Sequence, residues 1–290
     1  MKNKLNMWVI GGDMRQVKLA EALADDGHTV HTFALEDAGE AEGAEAAPGL
    51  DGAALADCVV LPLPVEGDGG RLNAPFSKAA CSLEEVFAAL RPEQVVCGGR
   101  VSAAAAAVAA EYGLTLRDYF AREELAVANA VPTAEGAVQI ALEELPITVH
   151  GARVLVLGYG RVGRAVAGRF AALGARVSVA ARKYADLAWA EAMGFGAELL
   201  GELAPWLCGY DVIVNTVPAR LLNEGELAGL KPGCLVIDLA SRPGGVDFEA
   251  AAALGVKAVW ALSLPGKVAP VSSGRYIRDT VYNILRELGV

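Results

Sequence analysis

Val154-Leu155-Val156-Leu157-Gly158-Tyr159-Gly160-Arg161-Val162-Gly163 is the stretch on which the fold turns. Four consecutive apolar residues stopped by glycine read as a strand buried on both faces. The glycines that follow have G-x-G-x-x-G spacing, a helical pattern runs over 164–173, and a second β-rich run starts after Gly174. Strand, glycine turn and helix in this order are the context that a dinucleotide-binding fingerprint requires. Gly158 permits the tight turn, Gly160 lets the backbone approach a pyrophosphate, and Gly163 lets helix and strand pack closely. The N–H groups around Arg161, Val162 and Gly163 then face the phosphate charge.

Outward from this motif, short apolar runs alternate with helical patterns, the signature of βαβ units and a parallel sheet. Strands are predicted at Arg153–Leu157, Arg176–Ala181, 211–216, 234–239 and 257–261 in the second half. In the first half they are predicted at 8–10, Thr29–Phe33, 58–61 and 95–97, with a helix over 14–24 and an alanine-rich helix after Val101. Pro132-Thr133-Ala134-Glu135 reads as a helix start, with Pro132 in the first turn, Thr133 as cap and Glu135 complementing the dipole. That helix closes at Pro146. A last amphipathic helix over 274–288 carries Ile277, Val281, Ile284 and Leu285. The chain is thus expected to be an α/β protein of two Rossmann-like domains with largely parallel sheets. Residues 1–130 form a substrate or partner domain, 131–149 an interdomain helix, 150–264 the NAD(P)-binding domain, and 265–290 a segment returning to the first domain.

Gly11-Gly12-Asp13 also follows a strand and precedes a helix, but it lacks the third glycine and places a carboxylate where phosphate would sit. It is read as a Rossmann-like turn without a dinucleotide. Cofactor choice depends on the end of the second strand of the second domain, where an Asp or Glu normally binds the ribose of NAD. Val179-Ala180-Ala181-Arg182-Lys183 offers no acid and two cations, which favours NADP, with NAD possible. Asn215, Thr216, Val217 and Pro218 end one strand, and Leu239, Ala240 and Ser241 end another. Both sets are expected to run along the cofactor.

The 290 residues carry a formal net charge of −10, which argues against nucleic-acid binding. Between Lys18 and Arg71 there is no Lys or Arg and there are twelve acids; residues 36–51 read as a solvated loop or an acidic docking face. No membrane span or signal sequence is expected, and a cytoplasmic location follows. The five cysteines are widely spaced with no C-x-x-C pair, which points to buried free thiols and no metal.

Several longer strings resemble the dipicolinate synthase A-subunit family. They are Val9-Ile10-Gly11-Gly12-Asp13 with Arg15-Gln16, Pro132-Thr133 with Glu135-Gly136, and Leu157 through Gly163. They continue with Phe170-Ala171-Ala172-Leu173-Gly174-Ala175, Asp238-Leu239-Ala240-Ser241-Arg242-Pro243-Gly244-Gly245, and Leu264-Pro265-Gly266 with Val268-Ala269-Pro270. Lys267 departs from the family pattern, as does the alanine-rich, acidic first domain. The resemblance covers nearly the whole chain. It implies oxidation of dihydrodipicolinate to pyridine-2,6-dicarboxylate with NAD(P)+ as acceptor, a different B-subunit as partner, and the mother-cell cytoplasm during sporulation. A homo-oligomer is expected as well.

A dicarboxylate pocket needs cations. Arg242, just past its strand, is the first candidate for a bidentate carboxylate contact. Arg15 and Lys267 are further candidates, with Asn129 beside the substrate. Only three histidines are present, none placed for proton transfer, so Glu135, helped by Thr133 or Asn129, is the candidate base; a purely capping role for Glu135 stays open. Two other readings also stay open: a two-domain NADP-dependent reductase of another keto or imino acid, and a nucleotide-binding scaffold for a partner protein.

Overall fold

A computed structural model describes residues 4–78 and 81–290. Residues 1–3, part of the N-terminus read for a signal sequence, lie outside the described residues. The chain divides into two compact units, Met1–Asn129 with Ala269–Val290, and Ala130–Val268.

Unit 1 contains β1 (Asn6–Ile10), α1 (Met14–Asp25), β2 (Thr29–Phe33), β3 (Glu45–Ala46), β4 (Cys58–Val60), α2 (Leu83–Ala88), β5 (Val95–Gly98), α3 (Ala103–Glu111) and β6 (Leu116–Asp118). The next helix, α4 (Glu123–Glu144), begins in unit 1 and ends in unit 2. The sheet order is β3-β2-β1-β4-β5-β6, all parallel. Alternation along the strands feeds two cores. Met7, Val9, Val30, Cys58 and Val60 pack with Val17, Leu19 and Leu23 of α1, while Trp8, Ile10, Val59 and Leu61 pack on the opposite face with Val86, Phe87 and Ala105.

Unit 2 continues with β7 (Arg153–Leu157), α5 (Arg161–Ala172), β8 (Arg176–Ala181), α6 (Tyr184–Ala192), β9 (Gly196–Leu199), β10 (Val212–Asn215), α7 (Glu224–Ala228), β11 (Leu235–Asp238), α8 (Phe248–Ala253), β12 (Lys257–Trp260) and α9 (Leu264–Val268). Its sheet order is β12-β11-β10-β7-β8-β9, again all parallel. Strand order reverses between β7 and β10, so the crevice above their carboxyl ends is the expected ligand position for a sheet of this kind.

The last helix, α10 (Pro270–Leu288), belongs to unit 1. Ile277, Val281, Ile284 and Leu285 enter the same core as Val17, Leu19 and Leu23. Helices α1 and α10 approach so closely that a Cβ at Gly274 would lie 2.7 Å from the Leu19 nitrogen.

Three features correct the sequence reading. Pro132 does not start a helix: α4 begins at Glu123 and passes through it. The run Glu123-Glu124-Leu125-Ala126 is itself strongly helix-forming, and burial of Leu125 before the proline and of Ala134, Ala137 and Ala141 after it outweighs the local cost. Thr133 and Glu135 therefore sit mid-helix and neither serves as a cap. Cys208 is exposed, unlike the other four thiols. Part of the 36–51 loop forms an edge strand, β3, alongside β2. Helix α4 is also long and apolar enough to cross a membrane by length and composition alone, but its apolar residues named above are core residues.

Candidate active site

The β7–α5 turn has the geometry that its glycines dictate. Gly158 has φ +94°, and a Cβ there would meet Thr216 Oγ1 at 2.6 Å and Val217 Cγ2 at 2.8 Å. Thr216 in turn donates from Oγ1 to the Leu157 carbonyl at 2.8 Å, closing the floor of the crevice between β7 and β10. A Cβ at Gly163 would lie 2.1 Å from the Gly158 carbonyl oxygen, so only glycine fits the crossing. Gly160 differs: a Cβ built there meets nothing of the protein within 4 Å. It is the N-cap of α5 and supplies no side chain to the first-turn N–H groups. The helix starts at Arg161, three residues earlier than its pattern suggests, so Arg161, Val162 and Gly163 form that first turn. An uncapped helix N-terminus beside open space fits a pyrophosphate.

At the end of β8, Arg182 and Lys183 are exposed, with Tyr184 beyond them at 78% exposure. Neither cation has an ion-pair partner among the described residues, and Lys183 is the N-cap of α6 without a side-chain cap bond. No carboxylate follows β8 before Asp186, whose near oxygen lies 3.6 Å from Arg164.

The ends of β10 and β11 form one polar cluster. Asn215 and Asp238 are both fully buried. The Asn215 amide donates to Asp238 Oδ1 at 2.8 Å and to the Val217 carbonyl at 3.0 Å, and its oxygen accepts from the Val217 N–H at 3.1 Å. Asn215, expected to touch cofactor, thus has its side chain spent on holding the loop that carries Thr216, Val217 and Pro218. Past β11, Leu239 is half-buried, Ala240 buried, and Ser241 and Arg242 exposed. The Arg242 guanidinium lies over the Trp260 ring, 5.9 Å from its centroid, and Trp260 Nε1 donates to the Ala240 carbonyl at 3.0 Å.

The remaining candidates divide between the units. In unit 2, Glu135 is exposed on α4, Thr133 is half-buried two residues before it, and Lys267 is exposed on α9. Asn129 is half-buried in unit 1. Arg15, expected to meet a substrate carboxylate, is given internal work: it is 8% exposed, its Nε and Nη2 donate to both Asp13 oxygens, and Nη2 also donates to the Leu63 carbonyl at 2.8 Å. Its partner stands only two residues away in the chain, where an arginine read as a substrate ligand gives no hint of it.

A doubly wound parallel unit with an open, glycine-lined helix N-terminus at its switch point and an arginine turn on a neighbouring strand defines a nicotinamide-dinucleotide-dependent oxidoreductase. Residues 122–256 match the family model for the NAD-binding domain of D-isomer specific 2-hydroxyacid dehydrogenases. Residues 6–120 match the N-terminal domain of the dipicolinate synthase A-subunit. The dipicolinate synthase A-subunit of Bacillus subtilis (strain 168) is 33% identical over 99% of this chain and 98% of its own length. A crystal structure of the Bacillus subtilis protein superposes with a TM-score of 0.87 at 33% identity, covering 100% of this chain and 98% of that one. The A-subunit structure from Bacillus halodurans gives 0.86 at 32%, covering 97% of each. The chain belongs to the dipicolinate synthase A-subunit family.

Proposed function

We propose that this chain oxidises dihydrodipicolinate to dipicolinate, working with a B-subunit in the mother-cell cytoplasm of a sporulating bacterium. The observation that carries the reading is the coincidence, in one unit of a family member, of an open α5 N-terminus and the exposed Arg242 turn at the carboxyl edge of the same sheet. Formation of the aromatic ring removes two hydrogens, one as hydride and one as proton. The bound nicotinamide supplies the hydride acceptor.

Every other task falls to side chains and backbone of this chain. The first turn of α5 holds the pyrophosphate, with Gly160 leaving room for it. Arg182 and Lys183 hold a 2′-phosphate, which makes NADP the cofactor. The loops 215–218 and 239–241 would hold the ribose and nicotinamide. Arg242 grips one substrate carboxylate through paired N–H donors, and Lys267 offers a second cation. Glu135, exposed and in no ion pair among the described residues, accepts the proton. Since aromatisation is downhill, orientation of the C–H bond is the larger part of catalysis.

The test is spectrophotometric. Freshly generated dihydrodipicolinate is mixed with the chain, alone and with the B-subunit, and with NADP+ or NAD+. Equal production of reduced nicotinamide and dipicolinate, faster with NADP+, is the expected result. Dipicolinate without reduced cofactor, or neither product with both proteins present, overturns the assignment.

A further inference from the structure

We infer that Asp238 is a positioning residue that sets the Arg242 turn for its substrate, an inference that rests on the reading of Arg242 as the carboxylate ligand. Asp238 ends β11 and is fully buried, yet it pairs with no Lys, Arg or His among the described residues. A buried carboxylate without a cation must be satisfied by neutral donors. Three are present: the Asn215 amide at 2.8 Å and the Ala240 N–H at 3.0 Å on Oδ1, and the Gly245 N–H at 2.7 Å on Oδ2.

Ala240 and Gly245 lie on either side of Arg242. One carboxylate therefore ties down both ends of the turn that presents the guanidinium. The sequence protects this arrangement. Gly244 has φ +82°, and a Cβ there would stand 2.9 Å from Asp238 Oδ2; a Cβ at Gly245 would stand 2.2 Å from the Asn215 amide nitrogen. Trp260 completes the hold through its bond to Ala240 and its ring beneath Arg242, with Phe248 stacked on it at 5.4 Å. Asn215, which also bonds Asp238, holds the Val217 carbonyl and N–H through its own amide, so the 215–218 loop on the cofactor side keeps its hold when Asp238 is changed.

A carboxylate that merely closed a strand end would affect stability independently of Arg242. A positioning residue acts through Arg242, and a double-mutant cycle separates the two. The full chain with its B-subunit is assayed as Asp238→Asn, Arg242→Ala and the double variant, with KM for dihydrodipicolinate, kcat, nucleotide Kd and thermal midpoint recorded. Asp238→Asn is expected to lower kcat/KM about 10- to 100-fold, mostly through KM, as loss of a charge-assisted bond implies, with nucleotide Kd changed less than about threefold. In the Arg242→Ala background the same change is expected to cost about twofold or less. Losses that multiply in the double variant overturn the inference. Normal turnover by Arg242→Ala alone overturns the role of Arg242 itself and is recognised without any Asp238 variant. Should Asp238→Asn fail to fold, Trp260→Phe keeps the aromatic face but loses the bond to Ala240. It is expected to lower kcat/KM about 3- to 10-fold only when Arg242 is present, and the same loss without Arg242 overturns the inference.

Discussion

The two units solve the same local problem in opposite ways. Each has a first strand, a tight turn and a helix at the switch point of a six-stranded parallel sheet. Gly11 and Gly158 occupy equivalent places, both with positive φ, at +64° and +94°. Two residues later the units part. In unit 1 the N-cap is Asp13, whose carboxylate accepts from the Arg15 N–H and whose own N–H donates to Gln16 in a capping box. Gln16 then donates to Tyr119, and Tyr119 to the Leu61 carbonyl; burial opposes the phenolate and pushes the phenol well above its ordinary range, against the smaller opposite effects of Arg15 and the Gln16 bond. In unit 2 the corresponding positions are Gly160 and Gly163, and the helix start has no side-chain cap. Unit 1 caps its helix terminus with its own side chains, whereas unit 2 leaves it without a side-chain cap. A fold alone does not confer dinucleotide binding; on the proposed reading, the residue at the N-cap and the one at the third helical position decide it.

Exchanging the caps tests the difference between the two units most sharply. Gly160→Asp places the unit 1 solution in unit 2. It is expected to abolish nucleotide binding, by at least about 100-fold, while leaving the thermal midpoint unchanged or slightly raised, because an N-cap Asp stabilises a helix over Gly by only about 0.3–1 kcal/mol. Gly160→Val should lose binding equally, with no loss of fold, since no protein atom lies within 4 Å of the new Cβ. Titration by protein fluorescence together with a melting curve checks both. Next in size is cofactor preference: replacing Arg182 and Lys183 by Asp and Ser is expected to shift the NADP/NAD ratio of kcat/KM about 10- to 100-fold toward NAD, from loss of charge-assisted phosphate contacts. An unchanged ratio would place the 2′-phosphate elsewhere.

Smaller effects belong to stability. Asp13→Ala removes a capping box and also strips the buried Arg15 guanidinium of its carboxylate, so it should cost more in denaturant unfolding than the about 0.5–2 kcal/mol of a cap alone, with no gain of a second nucleotide site because Gln16 still stands where Gly163 stands in unit 2. The smallest concerns pH. Burial raises the Asp211 carboxyl pKa, but bonds from Lys231 and the Arg153 N–H outweigh it and leave the group below its ordinary value. A depressed carboxylate contributes stability that is present above the unfolded pKa and is lost as pH falls through the folded one. Lys231→Ala should therefore flatten the decline of the melting point below about pH 4, and an unaltered acid limb would remove Asp211 from that account.

Most strand interiors were legible in the sequence because they are apolar on both faces, as in Val154 through Leu157. Of the four edge strands only β12, read at 257–261, was legible; β3, β6 and β9 were not. Leu116-Arg117-Asp118 and Gly196 through Leu199 are short and at best half-buried, so they carry little hydrophobic signal. Pro132 concealed the true start of α4 because local proline chemistry argues for a boundary that tertiary burial overrides. In the candidate site, the glycine spacing and the Arg182-Lys183 pair could be read directly. The commitment of Arg15 to Asp13, and the hub that Asp238 forms with Asn215, could not, since both depend on which backbone groups the folded loops bring to a carboxylate.

On the proposed reading one helix terminus of the two, that of α5, binds the cofactor. Isothermal titration of NADP+ into the wild-type chain, Gly160→Asp and Asp13→Ala tests it most directly. One site per chain in the wild type, lost in Gly160→Asp and kept in Asp13→Ala, is expected. Two sites per chain, or binding that survives Gly160→Asp and disappears in Asp13→Ala, would contradict it.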